Sequence, residues 1–337
     1  MKLPKFDYAK PGSVSECCTL LREHGPTAIP VAGGTDLMMA LKHWLKIPEI
    51  VVDLCGIPGL NGITERKDGG LNIGALATLC QLAGHDLVRK KYPVLAKAAR
   101  DVGSRQLQAM GTIGGNLCQD TCCLYYNRPP MLRQGLGPCL KLDGDACHAV
   151  RGSKDCWATY CGDLAPVLMV LNAVVKISDA SGDAVIPVHR LFSGDGKQPC
   201  TLQPGQVVTE IQVPAPAAHS AAVYLKMRIR KAIDYPLLGV ALHLALQPDK
   251  KTVADIALVL TAVEKAPIMI AAAEELKGKT VTDDLIDGLA EAAFKKSHPI
   301  NNTYGYTPGY RKNMARTYVK EAVRRSIDLA AGDGGAA

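Results

Sequence analysis

Seven of the twelve cysteines of this 337-residue chain lie between Cys118 and Cys161, and four of them, Cys123, Cys139, Cys147 and Cys156, are separated by 15, 7 and 8 residues. The segment that carries them, residues 121–158, holds turn residues and no sustained hydrophobic period of 3.6 or 2, so it folds as a long loop on a body built elsewhere. Loops of that length are functional or disordered. A zinc knuckle pairs its thiolates as C-x₂₋₄-C, and a redox dithiol as C-x-x-C. Four separate thiolates on one wandering loop read instead as the cradle of an iron–sulfur cluster, and hence as electron transfer.

A chain of 337 residues exceeds a single core, and two or three domains are expected. Hydrophobic residues make up 47% and charged residues 21%, with no long block of like charge, which argues against disorder and against a nucleic-acid-binding tail. Scattered lysines and arginines, or a docking face for an acidic electron carrier, account for the mild net charge of +7 better than a DNA-binding stripe does. Residues 1–18 contain no apolar signal segment. The strongest apolar run, residues 164–177, is broken by Pro166 and Asn172 and falls short of the ~20 residues of a membrane span. A cytoplasmic protein is expected, with reduced thiols clustered for metal or redox chemistry. Cys17, Cys18, Cys55, Cys80 and Cys200 stand outside the cluster and read as small buried hydrophobes.

Apolar spacing predicts an α+β fold. Residues 1–55 form a small αβ unit with a helix over 13–24, a strand over 28–32, a glycine turn, a helix over 36–42 and a strand over 50–53. Residues 56–215 form a larger α+β unit, with strands over 71–73, 174–177 and 207–213 and helices over 79–84, 93–101 and 165–171. The cysteine segment interrupts it as an insertion over 118–160. A Pro- and Ala-rich stretch at 213–218 reads as the hinge to a C-terminal domain over 216–330. There, residues 222–229, 238–246 and 255–263 predict a three-stranded antiparallel sheet, followed by helices over 268–276, 283–296 and 311–329. The small residues over 331–337 form a mobile tail.

Two glycine turns stand apart from this scaffold. In the first, Pro30-Val31-Ala32-Gly33-Gly34-Thr35-Asp36 leads from an apolar strand into a helix. Glycine lets backbone N–H groups approach an anion closely, and a helix start adds free donors, so a phosphate could sit there. A tight strand-to-helix turn with Thr35 as N-cap accounts for the same residues. In the second, Gly111-Thr112-Ile113-Gly114-Gly115-Asn116 again places paired glycines beside a hydroxyl and an amide. Two such turns feeding one body suggest a dinucleotide whose diphosphate lies between backbone loops. Neither G-x-G-x-x-G after a strand nor G-x-x-x-x-G-K-[ST] occurs, so a Rossmann or P-loop site lacks support.

The segments AGGTDLMMALK and TIGGNLCQD, with CGDLAPVLMVLNA and VYLKMRIRKAIDYPLLGVAL, resemble the FAD-binding medium subunits of the molybdenum hydroxylases, the xanthine and carbon monoxide dehydrogenase group. The likeness covers nearly the whole chain, including YRKNMARTYVKEAVRRS, which is similar to that family's closing helix. Most members run directly from the TIGGN turn to the G-D-L stretch. Here about forty residues carrying the thiolates intervene, an insertion similar to that of the β subunits of the 4-hydroxybenzoyl-CoA reductases.

The resemblance implies FAD bound by a two-part domain over 1–215. Pro30, Val31, Ala32, Gly33, Gly34, Thr35, Asp36 and Leu37 would wrap the diphosphate, and Thr112, Gly114, Gly115 and Asn116 would complete the cradle. Val102 would line the cofactor, Asp163 would accept from a ribityl or ribose hydroxyl, and Leu202 would touch the flavin edge through its backbone. Lys226 would reach the isoalloxazine, with Arg230 a weaker candidate beside it. Without the resemblance, Asp163 is explained as a helix N-cap and Lys226 and Arg230 as a solvated strand face. Cys123, Cys139, Cys147 and Cys156 match the ligands of a [4Fe-4S] cluster, although the doublet Cys122-Cys123 leaves the first ligand open, with spacing favouring Cys123. His148 reads as a solvent-facing neighbour of Cys147. Tyr125, Tyr126 and Trp157 read as packing, and Cys118 and Cys161 as packed thiols.

The implied partners are a large subunit with the molybdenum cofactor, a small subunit with two [2Fe-2S] clusters and a ferredoxin-like electron carrier, in a dimer of heterotrimers. The implied reaction is reductive removal of the phenolic hydroxyl of 4-hydroxybenzoyl-CoA on the large subunit, so no residue of this chain is catalytic toward substrate. No nucleic acid or membrane partner is implied. Two rivals remain open: a related dehydrogenase of another aromatic or heterocycle, and a zinc-stapled binding module whose glycine turns are structural. No Ser/His/Asp or paired-carboxylate constellation supports hydrolysis.

Overall fold

The computed structural model describes residues 2–301 and 306–332. Its first unit comprises β1 (Asp7–Ala9), α1 (Val14–His24), β2 (Ala28–Val31), α2 (Leu37–Lys42) and β3 (Ile50–Asp53), with parallel strands in the order β1–β3–β2. Ser13 starts α1 by accepting a 3.2 Å hydrogen bond from the Glu16 amide, and Gly25 ends it at a φ of 55°. The buried face of α1, Cys17, Cys18 and Leu21, packs with Val52. Pro30 lies in the edge strand β2, where a missing N–H is tolerated.

The second unit adds β4 (Ile63–Glu65), β5 (Leu71–Gly74), α3 (Leu79–Gly84), α4 (Asp86–Lys91), α5 (Pro93–Asp101), α6 (Arg105–Met110), α7 (Ile113–Leu117), α8 (Pro130–Gln134), α9 (Leu164–Val170), β6 (Val174–Asp179), β7 (Gly182–Pro187) and β8 (Val207–Val213). Its strands form an antiparallel sheet in the order β4–β5–β8–β6–β7. Every residue of α9 is buried, as a helix that is apolar all round requires, and it packs against both α5 and the next sheet.

That next sheet contains β9 (Ser220–Met227), β10 (Leu238–Leu246), β11 (Val253–Thr261) and β12 (Ile268–Met269) in the order β12–β11–β10–β9, followed by α10 (Asp283–Lys296) and α11 (Pro308–Ala331). Both its faces are covered, which explains the nearly continuous apolar run of β10. One face receives Ala315, Val319, Ala322 and Val323 of α11; from the other, Tyr224, Ala241 and Val259 enter the core built around α5 and α9.

The α+β fold matches the expectation, and the helices at 79–84, 93–101 and 283–296 have the predicted limits. Residues 268–276, predicted as a helix, divide instead into β12 and a 3₁₀ turn at Ala271–Leu276, because Ile268 and Met269 pair with Leu260 and Val259 as a fourth strand. β1, β4, β7, α4, α6, α7 and α8 stand outside the expected elements. Of the expected tail, α11 takes in Ala331 and is capped by Gly332 at a φ of 86°, while residues 333–337 lie outside the described residues. Among the described residues, no helix is long and apolar enough to cross a membrane.

Candidate cofactor sites

The two glycine turns touch. A β-carbon on Gly33 would stand 1.7 Å from the Met110 carbonyl oxygen, so only glycine lets the first turn lie on the Met110–Gly111 peptide. Gly34 adopts a φ of 68°. The amides of residues 33–37 donate to no protein group among the described residues, which leaves a half-buried run of free backbone donors. In the second turn Thr112 caps α7, accepting from the Gly115 amide at 3.1 Å, while the Ile113 and Gly114 amides are tied to the Ala77 and Ala75 carbonyls at 3.0 and 2.9 Å. Gly115 is exposed between buried neighbours. A β-carbon there would meet only Thr112 Oγ1, at 3.0 Å.

Asn116 joins this turn to α9 by accepting the Leu164 amide at 3.2 Å. Asp163 occupies the N-cap position of α9 but makes no side-chain cap bond. Its carboxylate accepts instead from Tyr224 Oη at 2.7 Å and from Lys226 Nζ at 2.9 Å. Tyr224 and Lys226 are two apart on β9 and share a face. Lys226 Nζ also donates to the Asp101 carbonyl at 2.8 Å. The Lys226 side chain is thus sealed in an ion pair, contrary to the solvated-face alternative. Burial raises the pKa of Asp163, opposed by the Lys226 charge and the Tyr224 hydrogen bond. A carboxylate can accept about four hydrogen bonds, so further acceptor capacity remains.

Arg230 belongs elsewhere: it is exposed and pairs with Asp234, Nε to Oδ1 at 2.8 Å, within its own hairpin loop. Val102 follows α5, half-buried, its carbonyl held by Gln108 Nε2 at 2.7 Å. Leu202 packs half-buried against the same core, two residues beyond Cys200, whose thiol is hydrogen-bonded to Cys118.

Sequence reading passed over Tyr235. The β9–β10 loop crosses onto the second unit, where the Ile233 amide donates to the Gly103 carbonyl at 2.9 Å. Tyr235 stands in this loop 56% exposed, and Cys122, burial of the hydroxyl and Asp36 push its pKa well above the ordinary value. Its only sequence signal is an aromatic residue beside Pro236 in a loop.

The cysteine segment is closed at its base by two bonds: the Cys122 amide to the Thr159 carbonyl at 2.8 Å and the Thr159 amide to the Cys122 carbonyl at 2.9 Å. Beyond that clasp, Cys123, Cys139, Cys147 and Cys156 all line one pocket, walled by Tyr125, Tyr126, Lys141 and His148. Burial pushes the Cys123 thiol up, while the Tyr126 and Tyr125 amides act against it; the Tyr125 amide lies 3.5 Å from Sγ. Burial likewise raises Cys156, opposed by the Ala158 amide and the Lys141 charge. Cys122 turns away, its thiol hydrogen-bonded to Cys161. His148 stands on the pocket wall rather than in solvent, Nε2 3.2 Å from the Gly137 carbonyl. Trp157 stands off the pocket, donating to Ser153 Oγ at 2.9 Å. Among the described residues, no three His, Cys, Asp or Glu side chains converge as ligands of a single ion.

An αβ unit and an α+β body meeting at two glycine turns, with a sheet-and-helix domain docked through a buried ion pair, is the architecture of a medium flavoprotein subunit. The carbon monoxide dehydrogenase of Hydrogenophaga pseudoflava that lacks the Mo-pyranopterin moiety of its molybdenum cofactor contains a chain of this fold, with a TM-score of 0.79 and 26% identity over 97% of this chain and 98% of that one. The family described as the FAD binding domain in molybdopterin dehydrogenase matches residues 4–216, and the CO dehydrogenase flavoprotein C-terminal domain matches residues 222–326. The chain belongs to this family and is an FAD-binding subunit of the oxidoreductase class. It is 34% identical to the FAD-binding subunit of an aldehyde oxidoreductase from Escherichia coli (strain K12), over 72% of this chain and 78% of that protein. It is 27% identical to the medium chain of glyceraldehyde dehydrogenase from Sulfolobus acidocaldarius, over 95% of this chain and 98% of that protein.

Proposed function

We propose that the chain is the flavin and iron–sulfur electron-transfer subunit of a 4-hydroxybenzoyl-CoA reductase, with a [4Fe-4S] cluster in the cysteine pocket. The observation that carries this reading is that four cysteines scattered over residues 123–156 line a single pocket outside the glycine cradle. A single zinc ion, bound at about 2.3 Å by each sulfur, needs ligands drawn close to one point. Sulfurs lining a common space suit a larger cluster, and N–H groups directed at Cys123 and Cys156 act against the burial that raises their thiols.

FAD suits the first site for equally local reasons. The free amides of residues 33–37 would receive the diphosphate, with Pro30 to Leu37 and Thr112, Gly114, Gly115 and Asn116 as the walls of its cradle. Asp163 has acceptor capacity left for a hydroxyl, Val102 and Leu202 would border the ring system, Lys226 would act on it from behind its partner Asp163, and the exposed Tyr235 would approach it from the C-terminal domain. Bound FAD takes electrons singly or in pairs, and so connects a one-electron cluster to other centres. The partners would be a molybdenum-cofactor large subunit, where substrate reacts, a [2Fe-2S] small subunit and a ferredoxin-like donor, assembled in the cytoplasm as a dimer of heterotrimers.

The names of the relatives, an aldehyde oxidoreductase and a glyceraldehyde dehydrogenase, favour a second reading in which a related substrate is oxidised and electrons leave through the cluster. Anaerobic purification tests the shared part: a flavin spectrum with about four iron and about four labile sulfide per chain is expected. Colourless protein with stoichiometric zinc would sink it. Turnover of 4-hydroxybenzoyl-CoA by the assembled complex with reduced ferredoxin then separates the two enzymatic readings.

A further inference from the structure

One group in the cysteine pocket is not explained by holding a cluster. Lys141 lines the pocket two residues after Cys139, yet only 3% of its side chain is exposed. Its Nζ donates to Asp120 Oδ1 at 2.6 Å, to the Gly196 carbonyl at 2.9 Å and to the Thr121 hydroxyl, and it sits 4.7 Å from the centre of the Tyr126 ring. Burying an ammonium is costly, and an aliphatic side chain could fill the same space without that cost. Asp120 is the anion in this arrangement. It also meets Lys46 at 3.7 Å, and its amide donates to Asp36 Oδ2 on the first glycine turn at 3.1 Å.

We infer that Lys141 sets the reduction potential of the cluster held by Cys123, Cys139, Cys147 and Cys156, and that Asp120 trims the field it exerts. The inference rests on the cluster reading above. Each electron added makes a thiolate-ligated cluster more negative, so a fixed cation in a water-poor pocket favours the reduced form. A carboxylate paired with that cation cancels part of its field. Neither residue touches the substrate or supplies a ligand; both act through charge. The Asp120–Asp36 hydrogen bond also fixes the pair against the flavin cradle, which keeps the ammonium in place.

The test is a redox titration of the full chain, purified anaerobically, with the cluster followed by electron paramagnetic resonance in wild type, Lys141→Met, Lys141→Arg and Asp120→Asn. With iron and flavin retained, Lys141→Met should lower the reduced-to-oxidised ratio at a fixed potential about tenfold, which is 59 mV for a one-electron couple. Asp120→Asn should move the ratio the other way, and Lys141→Arg should stay close to wild type. Loosened packing cannot produce opposite signs. Unchanged potentials, shifts of one sign in both charge-altering variants, or loss of iron from both would overturn the inference. A wild-type chain without iron and labile sulfide would instead overturn the cluster reading itself.

Discussion

Lys226 Nζ lies 2.9 Å from Asp163 Oδ2, and only 2% and 4% of the two side chains remain exposed. One partner comes from β9 of the C-terminal sheet and the other from the start of α9, so a single buried pair joins the unit that supplies the strand face to the unit that carries both glycine turns. A buried pair is costly to half-remove, because the surviving charge keeps its desolvation penalty without its partner.

Lys226→Met should therefore destabilise the chain by about 3–5 kcal/mol at neutral pH, and Lys226→Met combined with Asp163→Asn by clearly less than the sum of the single changes. The sign of the pH response follows from Asp163, whose pKa burial already raises. A folded-state pKa above the unfolded value favours the protonated acid, so its contribution is fully present below the unfolded pKa and is lost as pH rises through the folded one. Without Lys226 that upward shift grows, and thermal unfolding of the Lys226→Met variant should move to higher temperature as pH falls from neutral toward the carboxylate range. Parallel pH profiles for variant and wild type would contradict this.

The two glycine turns should respond differently to substitution. At Gly33 a β-carbon collides with backbone 1.7 Å away, so Gly33→Ala should force the turns apart and lower both thermal stability and flavin content. At Gly115 an added side chain extends past Thr112 Oγ1 into open space, so Gly115→Leu should keep the fold and the iron while flavin occupancy falls about tenfold or more. Circular dichroism with flavin and iron assays on both variants makes the comparison.

Within the cysteine segment, Cys139→Ser and Cys147→Ser should remove iron and leave flavin bound. Cys122→Ser should retain iron, because the Cys122 thiol is hydrogen-bonded to Cys161 and not turned into the pocket. Loss of iron from Cys122→Ser, with retention in Cys123→Ser, would reverse the assignment of the first ligand.

Tyr235→Ala should weaken flavin binding about tenfold, on the order of 1.4 kcal/mol, as expected when one aromatic contact is lost, whereas Tyr235→Phe should stay near wild type. Flavin release measured by fluorescence distinguishes the two. Equal losses in both variants would assign the effect to the hydroxyl instead.

Much of this molecule is legible along the chain, because strands such as Leu238–Leu246 and helices such as Asp283–Lys296 are long enough for apolar spacing to declare them, and because glycine is recognisable wherever two backbones must meet. The four cysteines could likewise be marked as a group, since no hydrophobic period in their segment offered them another role. Which sulfur of the Cys122-Cys123 doublet faces the pocket could not be read that way: adjacent side chains differ only in direction, and the Cys122–Thr159 clasp sets that direction from 37 residues away. Tertiary structure also decided the fates of Lys226 and Lys141. Each looks like an ordinary strand or loop residue until folding brings a distant carboxylate or a cysteine pocket beside it, and local spacing carries no record of such partners.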